Sequence, residues 1–155
     1  MSLPDGIRHA VPEDLEKLYD IEQKCFPGPL AYPRKQIQHL AFKANSSCLV
    51  DETTGAICGF IIVLYRTGSQ VAGIETVDVD PECRGQGIGL RLISAAEGEM
   101  RARGVKKSRL EVAQSNTVAI QLYKKAGYSV VEELVGYYQY EHDGTRDAFR
   151  MIKHL

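Results

Sequence analysis

The sequence lacks tryptophan altogether, and neither sign of charge dominates it. Nineteen Lys and Arg stand against 20 Asp and Glu, for a net charge of −1. With no electrostatic surplus, the total charge gives no reason to expect nucleic acid or an anionic membrane as partner. No apolar run is long enough to cross a bilayer and no signal-peptide pattern is present, so the expected location is cytoplasmic. The four cysteines, Cys25, Cys48, Cys58 and Cys83, are scattered without a C-x-x-C pair, which argues against both a zinc site and a disulfide framework. Cys83 lies beside Arg84 and is the thiol to watch for reactivity, an ordinary reduced cysteine being the plainer reading. His9, His39, His142 and His154 have no metal-ligand spacing, so no metal is expected. The absence of G-x-S-x-G removes support for serine-hydrolase chemistry. No repeat, linker or low-complexity segment interrupts the 155 residues, of which 44% are hydrophobic. A single domain over residues 1–155, with enough chain to bury a core, is the expectation.

The informative stretch is 76–104, T-V-D-V-D-P-E-C-R-G-Q-G-I-G-L-R-L-I-S-A-A-E-G-E-M-R-A-R-G. Alternating Val77 and Val79 read as a strand, which Asp80-Pro81 ends because proline cannot continue a hydrogen-bonded ladder. From Ile88, the apolar residues Leu92, Ala95 or Ala96, and Met100 recur at helical spacing. Gly104 stops the helix. Between strand and helix lie Arg84, Gly85, Gln86, Gly87 and Gly89. Glycine there leaves backbone amides uncovered, and a helix N-terminus adds unpaired N–H groups and partial positive charge. The junction is therefore built for a phosphate or pyrophosphate. The dinucleotide fingerprint G-x-G-x-x-G does not fit, because the third glycine comes one residue early. The P-loop does not fit either, because no Lys-Ser/Thr follows.

In chain order, a short strand at Gly6–Ala10 precedes a helix opened by Pro12-Glu13-Asp14, with Leu15, Leu18, Tyr19, Glu22, Cys25 and Phe26 at helical spacing. Residues 27–33 form a proline-rich loop. A second helix runs from about Arg34 to Lys43, with Ile37, Leu40 and Ala41 on its apolar face. Strands follow at Ser47–Val50 and Ile57–Tyr65, the latter apolar enough for a centre covered on both faces. Ser108–Ala113 is a further strand. Ser115 reads as the N-cap of a helix over Asn116–Ala126, closed by Gly127. Tyr128–Tyr140 is strand-like, and Asp143-Gly144 turns the chain into a last strand, Ala148–Lys153. The order β α α β β β α β α β β implies a mixed α/β sheet with helices on both faces.

Two side chains stand out by position. Glu111 lies mid-strand in R-L-E-V-A, where burying a lone carboxylate costs several kcal/mol unless it is paired or wet. It faces a cleft or an edge-strand surface, with nothing in the spacing to choose. Tyr123 lies two helical turns after Asn116 on the same face, away from the apolar face of Val118, Leu122 and Ala126. It is either a site residue or a packing tyrosine with its hydroxyl at the rim.

The motif Arg84-x-x-Gly87-x-Gly89 resembles the acetyl-CoA pyrophosphate motif of the GNAT acetyltransferases, and V-D-V-D-P resembles that superfamily's fourth strand. The run Leu110–Tyr128, L-E-V-A-Q-S-N-T-V-A-I-Q-L-Y-K-K-A-G-Y, resembles the branch of ribosomal-protein alanine N-acetyltransferases and related N-terminal acetyltransferases. The tail, with Tyr137-Tyr138 and Asp147-Ala148, is similar to the same branch. Gln114 and Tyr128 depart from it, standing where an arginine and a phenylalanine are usual. The resemblance covers roughly residues 57–153. It implies the GNAT fold, a central twisted and mostly antiparallel sheet, and acetyl-CoA as co-substrate. It also implies Glu111 as general base and Tyr123 as general acid, with Asn116 near the cofactor arm. The backbone of Val77 and Val79 is then expected to pair with the pantetheine amides like an added strand. Arg84, Gly85, Gln86, Gly87 and Gly89 are expected around the pyrophosphate.

The implied acceptor is the N-terminal α-amine of a protein or peptide, which a ribosomal protein would supply. A peptide α-amine has a pKa of about 8 and a lysine amine about 10.4, so lysine needs roughly 3.5 kcal/mol more work to present its neutral form. One carboxylate and one tyrosine suit the α-amine better. Residues 25–46 are expected to build one wall of the acceptor site. C-F-P-G-P-L-A-Y-P-R-K departs there from both the F-P-W-S and L-P-E-N-Y types, and this leaves acceptor identity open. Tyr32 and Tyr138 are candidates for the peptide groove, simple packing being the alternative. The basic residues Arg101, Arg103, Lys106, Lys107 and Arg109 read as a solvated face beside a helix C-terminus. Lys124 and Lys125 are candidates for a CoA phosphate. A small-molecule amine acceptor and a non-catalytic acyl-CoA-binding module are the competing readings.

Overall fold

The structure, a computed structural model, describes residues 2–155. Its elements are β1 (Ile7–His9), α1 (Leu15–Cys25), α2 (Arg34–Gln38), β2 (Ser46–Asp51), β3 (Gly59–Tyr65), β4 (Val71–Val79), α3 (Ile88–Ala102), β5 (Lys107–Ala113), α4 (Thr117–Lys125), β6 (Ser129–Leu134) and β7 (Ala148–His154). The seven strands form one sheet in the order β1-β2-β3-β4-β5-β7-β6, and every neighbouring pair is antiparallel except β4–β5. The mixed sheet and the element order agree with the expectation from sequence.

The sheet separates two apolar layers. On one face α3 and α4 pack through Leu92, Ile93, Met100 and Tyr123 against Ile61, Leu110 and Met151. On the other, α1, α2 and the turn that continues α2 bring Leu18, Ile21, Ile37 and Leu40 onto Val50, Phe60 and Ile62. Strand β3 feeds both layers, since Phe60, Ile61 and Ile62 are all fully buried. That is why its sequence is continuously apolar rather than alternating.

Local chemistry sets several boundaries. Pro12–Asp14 form a separate 3-10 turn, and Asp14 accepts from Val11 N at 2.8 Å and from Arg8 Nη1 at 2.8 Å. The second helix changes from α to π winding over His39–Lys43, yet Ile37, Leu40 and Ala41 are its buried face as expected. The cap of α4 is Asn116 rather than Ser115: Asn116 Oδ1 accepts from Ala119 N at 3.2 Å. Ser115 Oγ instead donates to His142 O at 2.6 Å, tying the helix entry to the loop before β7. The strand expected over Tyr128–Tyr140 stops at Leu134. Gly136 turns to φ +66° with its N–H on Asp147 Oδ1, and Tyr138 exchanges hydrogen bonds with Arg146, so residues 135–147 fold into a loop of their own. The Asp143-Gly144 turn is present within it, both residues at positive φ between bridged His142 and Thr145.

One irregularity creates the site. Strands β4 and β5 pair in parallel only from Val71–Gly73 to Lys107–Arg109, and beyond that they part. A bulge leaves Glu75 without a partner on β3. The bulge changes which residues face which layer, so Ile74, Val77 and Val79 meet the α3 side. The edge of β4 that faces β5 is left unpaired along Ile74–Val79.

Candidate active site

Two cavities occupy the gap where β4 and β5 part. The first, of about 410 Å³, runs between the end of β4, the start of α3 and the face of α4. Val77, Val79, Arg84, Gly85, Gly87, Gly89 and Asn116 all line it, with Lys125 at one side. Gln86 is exposed and its side chain takes no part in the lining, and Lys124 is likewise exposed. Gly87 is the N-cap of α3 at φ +77°, a left-handed conformation that costs other residues 1–2 kcal/mol (order of magnitude). The first-turn amides of α3, those of Ile88, Gly89 and Leu90, have no carbonyl within the helix to bind. They open toward the cavity with the positive end of a 15-residue helix behind them. Gly89 has a different reason to be glycine. A Cβ there would sit 3.0 Å from Leu122 Cδ2, so its smallness lets α3 and α4 close on each other.

This cavity fits a CoA-type ligand in two separate ways. The helix entry is an anion cradle, and the free edge of β4 offers unused main-chain donors and acceptors at strand spacing. Cys25 Sγ already donates to Val79 O at 3.3 Å, and burial pushes that thiol up to about 12. Cys83 is pushed up to about 11, first by its hydrogen bond with Cys58, so the neighbouring Arg84 does not make it a reactive thiol.

The second cavity, of about 350 Å³, adjoins the first and shares Phe26, Val77, Asn116 and Ala119 with it. Tyr32, Glu111, Tyr123 and Tyr138 all face it. Tyr123 is 8% exposed, and among the described residues its hydroxyl has no hydrogen-bond partner. Burial raises its pKa well above the usual tyrosine value, so the phenol keeps its proton as a free donor. Its ring packs edge-on against Tyr128 at 6.2 Å. Glu111 is not a lone carboxylate: Oε2 accepts from Arg150 Nε at 3.1 Å and lies 3.5 Å from Arg109 Nε. Arg109, read from sequence as part of a solvated face, is indeed exposed, with its guanidinium beside this carboxylate. Tyr138 stacks on His142 at 4.1 Å and meets Tyr137 edge-on at 5.0 Å, forming an aromatic wall on the 135–147 loop.

Residues that sequence reasoning did not single out stand in the cavity lining, as Glu22 and Glu75 do, or next to it, as Asp78 does. Glu75, on the β4 bulge, accepts the Tyr32 hydroxyl proton in a hydrogen bond. Glu22 takes the Tyr32 N–H at 2.9 Å. Asp78 lies beside Thr76 at the base of β4. The signal for Glu22 was present, since it falls on the buried stripe of α1 where an apolar residue belongs.

Residues 15–128 match the model of the acetyltransferase (GNAT) family. The chain belongs to the GNAT family. A [ribosomal protein bS18]-alanine N-acetyltransferase from Haemophilus ducreyi is 38% identical over 141 residues, covering 91% of this chain and 93% of its own. The crystal structure of the ribosomal-protein-S18-alanine N-acetyltransferase from Escherichia coli superimposes with a TM-score of 0.84 at 27% identity, covering 96% of this chain and 92% of that one. A mycothiol acetyltransferase from Propionibacterium freudenreichii is 28% identical over 146 residues, which are 87% of this chain but 47% of that protein. This chain therefore spans about half the length of the mycothiol acetyltransferases it matches.

Proposed function

We propose that this GNAT protein transfers the acetyl group of acetyl-CoA to the N-terminal α-amine of a protein or peptide, with Glu111 as general base and Tyr123 as general acid. The observation that carries the reading is the junction of the two cavities at Val77, Asn116 and Ala119. A thioester held along β4 reaches that junction, where Tyr123 offers a free hydroxyl and Glu111 stands across the second cavity. The neutral amine attacks the thioester carbonyl carbon, the N–C bond forms and the C–S bond breaks. Glu111 receives the amine proton through a water, and Tyr123 gives its proton to the departing thiolate. Val77 and Val79 pair with the pantetheine amides. Arg84 and the amides of Gly85, Gln86, Gly87 and Gly89 take the pyrophosphate, and Asn116 orders the arm.

Tyr32 and Tyr138 flank the acceptor peptide. The cavity is bounded by residues of two separate loops, 27–33 and 135–147, an arrangement that suits a chain end better than a compact amine. The likeness to the Haemophilus enzyme over nearly its whole length supports a ribosomal protein as acceptor. We place the reaction in the cytoplasm and in a single domain; among the described residues no helix is long and apolar enough to cross a membrane. A small amine is the second reading, favoured by the mycothiol acetyltransferase matches. CoA-thiol release with a panel of peptides of varied N-termini, with spermidine and free lysine alongside, separates the two. Turnover of selected peptides supports the proposal, and turnover of the small amines alone overturns it.

A further inference from the structure

Beneath the acceptor cavity two carboxylates meet out of contact with water. Glu22 on α1 and Asp78 on β4 are each 1% exposed and lie within hydrogen-bonding reach of each other. One oxygen of each is accounted for. Glu22 Oε2 accepts from Tyr32 N at 2.9 Å, and Asp78 Oδ1 accepts from Thr76 Oγ1. The other two, Glu22 Oε1 and Asp78 Oδ2, are fully buried and have no donor among the described residues. Ionised carboxylates only accept, so two of them here would leave two orphaned oxygens and two adjacent buried charges. A single proton between Oε1 and Oδ2 removes both problems.

The surroundings do not supply an alternative. Glu75, the Tyr32 phenol and the Cys25 thiol bring no compensating positive charge, and Arg84, which acts on Asp78 from the loop after β4, is exposed. Burial and the neighbouring Asp78 push Glu22 up to about 10, so its proton persists through the neutral range.

We propose that Glu22 carries a proton shared with Asp78 and thereby acts as the positioning residue for the acceptor loop, fixing Tyr32 against the cavity. The pair joins three pieces that the site needs in register. Asp78 stands between Val77 and Val79 on β4, Glu22 belongs to α1, and Tyr32 lies on the loop between α1 and α2 and reaches Glu75 through its hydroxyl. Protonated, Glu22 offers one donor to Asp78 and one acceptor to Tyr32 N. Glutamine offers the same two groups in the same shape, and leucine offers neither. The assignment of Tyr32 to the acceptor side rests on the function proposed above, whereas the shared proton does not.

The test has two readouts. Infrared spectroscopy at about pH 8, where free carboxyls are ionised, should show a protonated-carboxyl stretch in the wild type that Glu22→Gln removes. In steady-state kinetics, Glu22→Gln should leave the peptide KM within about twofold. Glu22→Leu should raise it about tenfold or more, the acetyl-CoA KM staying put. Absence of the infrared band in the wild type overturns the shared proton, and so does a Glu22→Gln variant as impaired as Glu22→Leu. Equal rises in both KM values in Glu22→Leu, with Glu22→Gln normal, overturn the positioning role. A band lost in Glu22→Gln from a protein that acetylates no peptide leaves the proton standing and sinks the peptide reading. Should Glu22→Leu fail to fold, the band and the Glu22→Gln kinetics still decide.

Discussion

Replacing Tyr123 with phenylalanine removes one oxygen and leaves the rest of the structure almost untouched. The ring is buried in the layer formed by α3 and α4 and packs edge-on against Tyr128, contacts that phenylalanine keeps. Among the described residues the hydroxyl bonds nothing, so its loss orphans no partner. Stability should therefore change by no more than about 0.5 kcal/mol. The effect on rate is of another order. A positioned general acid contributes about 10²- to 10⁴-fold. The leaving group here is a thiolate, whose conjugate acid has a pKa near 8.5, so expulsion without a proton is slow rather than forbidden. The low end applies: kcat should fall about 100-fold, or about 2.7 kcal/mol of barrier, with the acetyl-CoA KM little changed. Thiol release at saturating acetyl-CoA and peptide measures the first quantity, and thermal unfolding measures the second. A kcat within about twofold of wild type would refute the acid role. A fall in kcat accompanied by a fall in Tm would show that the hydroxyl is structural after all.

Three further outcomes follow from the same geometry. Asn116→Ala should cost about 1 kcal/mol by uncapping α4, seen as a lower Tm, and Asn116→Ser should restore most of the Tm without restoring kcat/KM. Gly87→Ala forces a Cβ into φ +77°, so the protein should lose 1–2 kcal/mol (order of magnitude) and its acetyl-CoA KM should rise while the peptide KM does not. The raised Glu22 carboxyl has a definite sign in pH-dependent stability. The folded state holds a proton that the unfolded state has released above its ordinary carboxyl pKa. The Glu22 contribution to stability is thus full at acid pH and declines as pH climbs from about 5 toward 10, by at most about 1.4 kcal/mol per unit. Denaturant unfolding across that range should show the decline in wild type and a flatter profile in Glu22→Gln.

What could be read in advance depended on whether a residue's role is local. The strand–glycine–helix junction at 76–104 is local, because the proline stop, the left-handed Gly87 and the apolar stripe of α3 all act within a few residues. The same holds for β3, whose unbroken apolar run implied a strand covered on both faces. Local chemistry also misled where two caps competed. Ser115 and Asn116 both suit an N-cap, and only the contact with His142, 27 residues away, shows why Ser115 is engaged elsewhere. Tyr128–Tyr140 has strand composition throughout, but Gly136 and the Asp147 carboxylate end the ladder at Leu134. The acceptor side was least legible because its parts are distant in sequence. Glu111 meets Arg150 across β5 and β7, Tyr32 meets Glu75 over 43 residues, and Glu22 meets Asp78 between a helix and a strand. Regular alternation of valine with aspartate at 77–79 conceals that Asp78 points into a buried layer. Glu22 shares its helical spacing with Leu15 and Leu18, but the strand carboxylate that it meets is visible only in the fold.

The proposed reaction is defined by the nitrogen that receives the acetyl group. The most direct measurement incubates the protein and acetyl-CoA with a peptide that carries both a free α-amine and an internal lysine, then locates the added acetyl group by fragment-ion mass spectrometry. The expected result is acetyl on the first residue, none on the lysine, and no product once the α-amine is blocked beforehand. Acetyl on the lysine, or turnover confined to small amines with every peptide left unmodified, would contradict it.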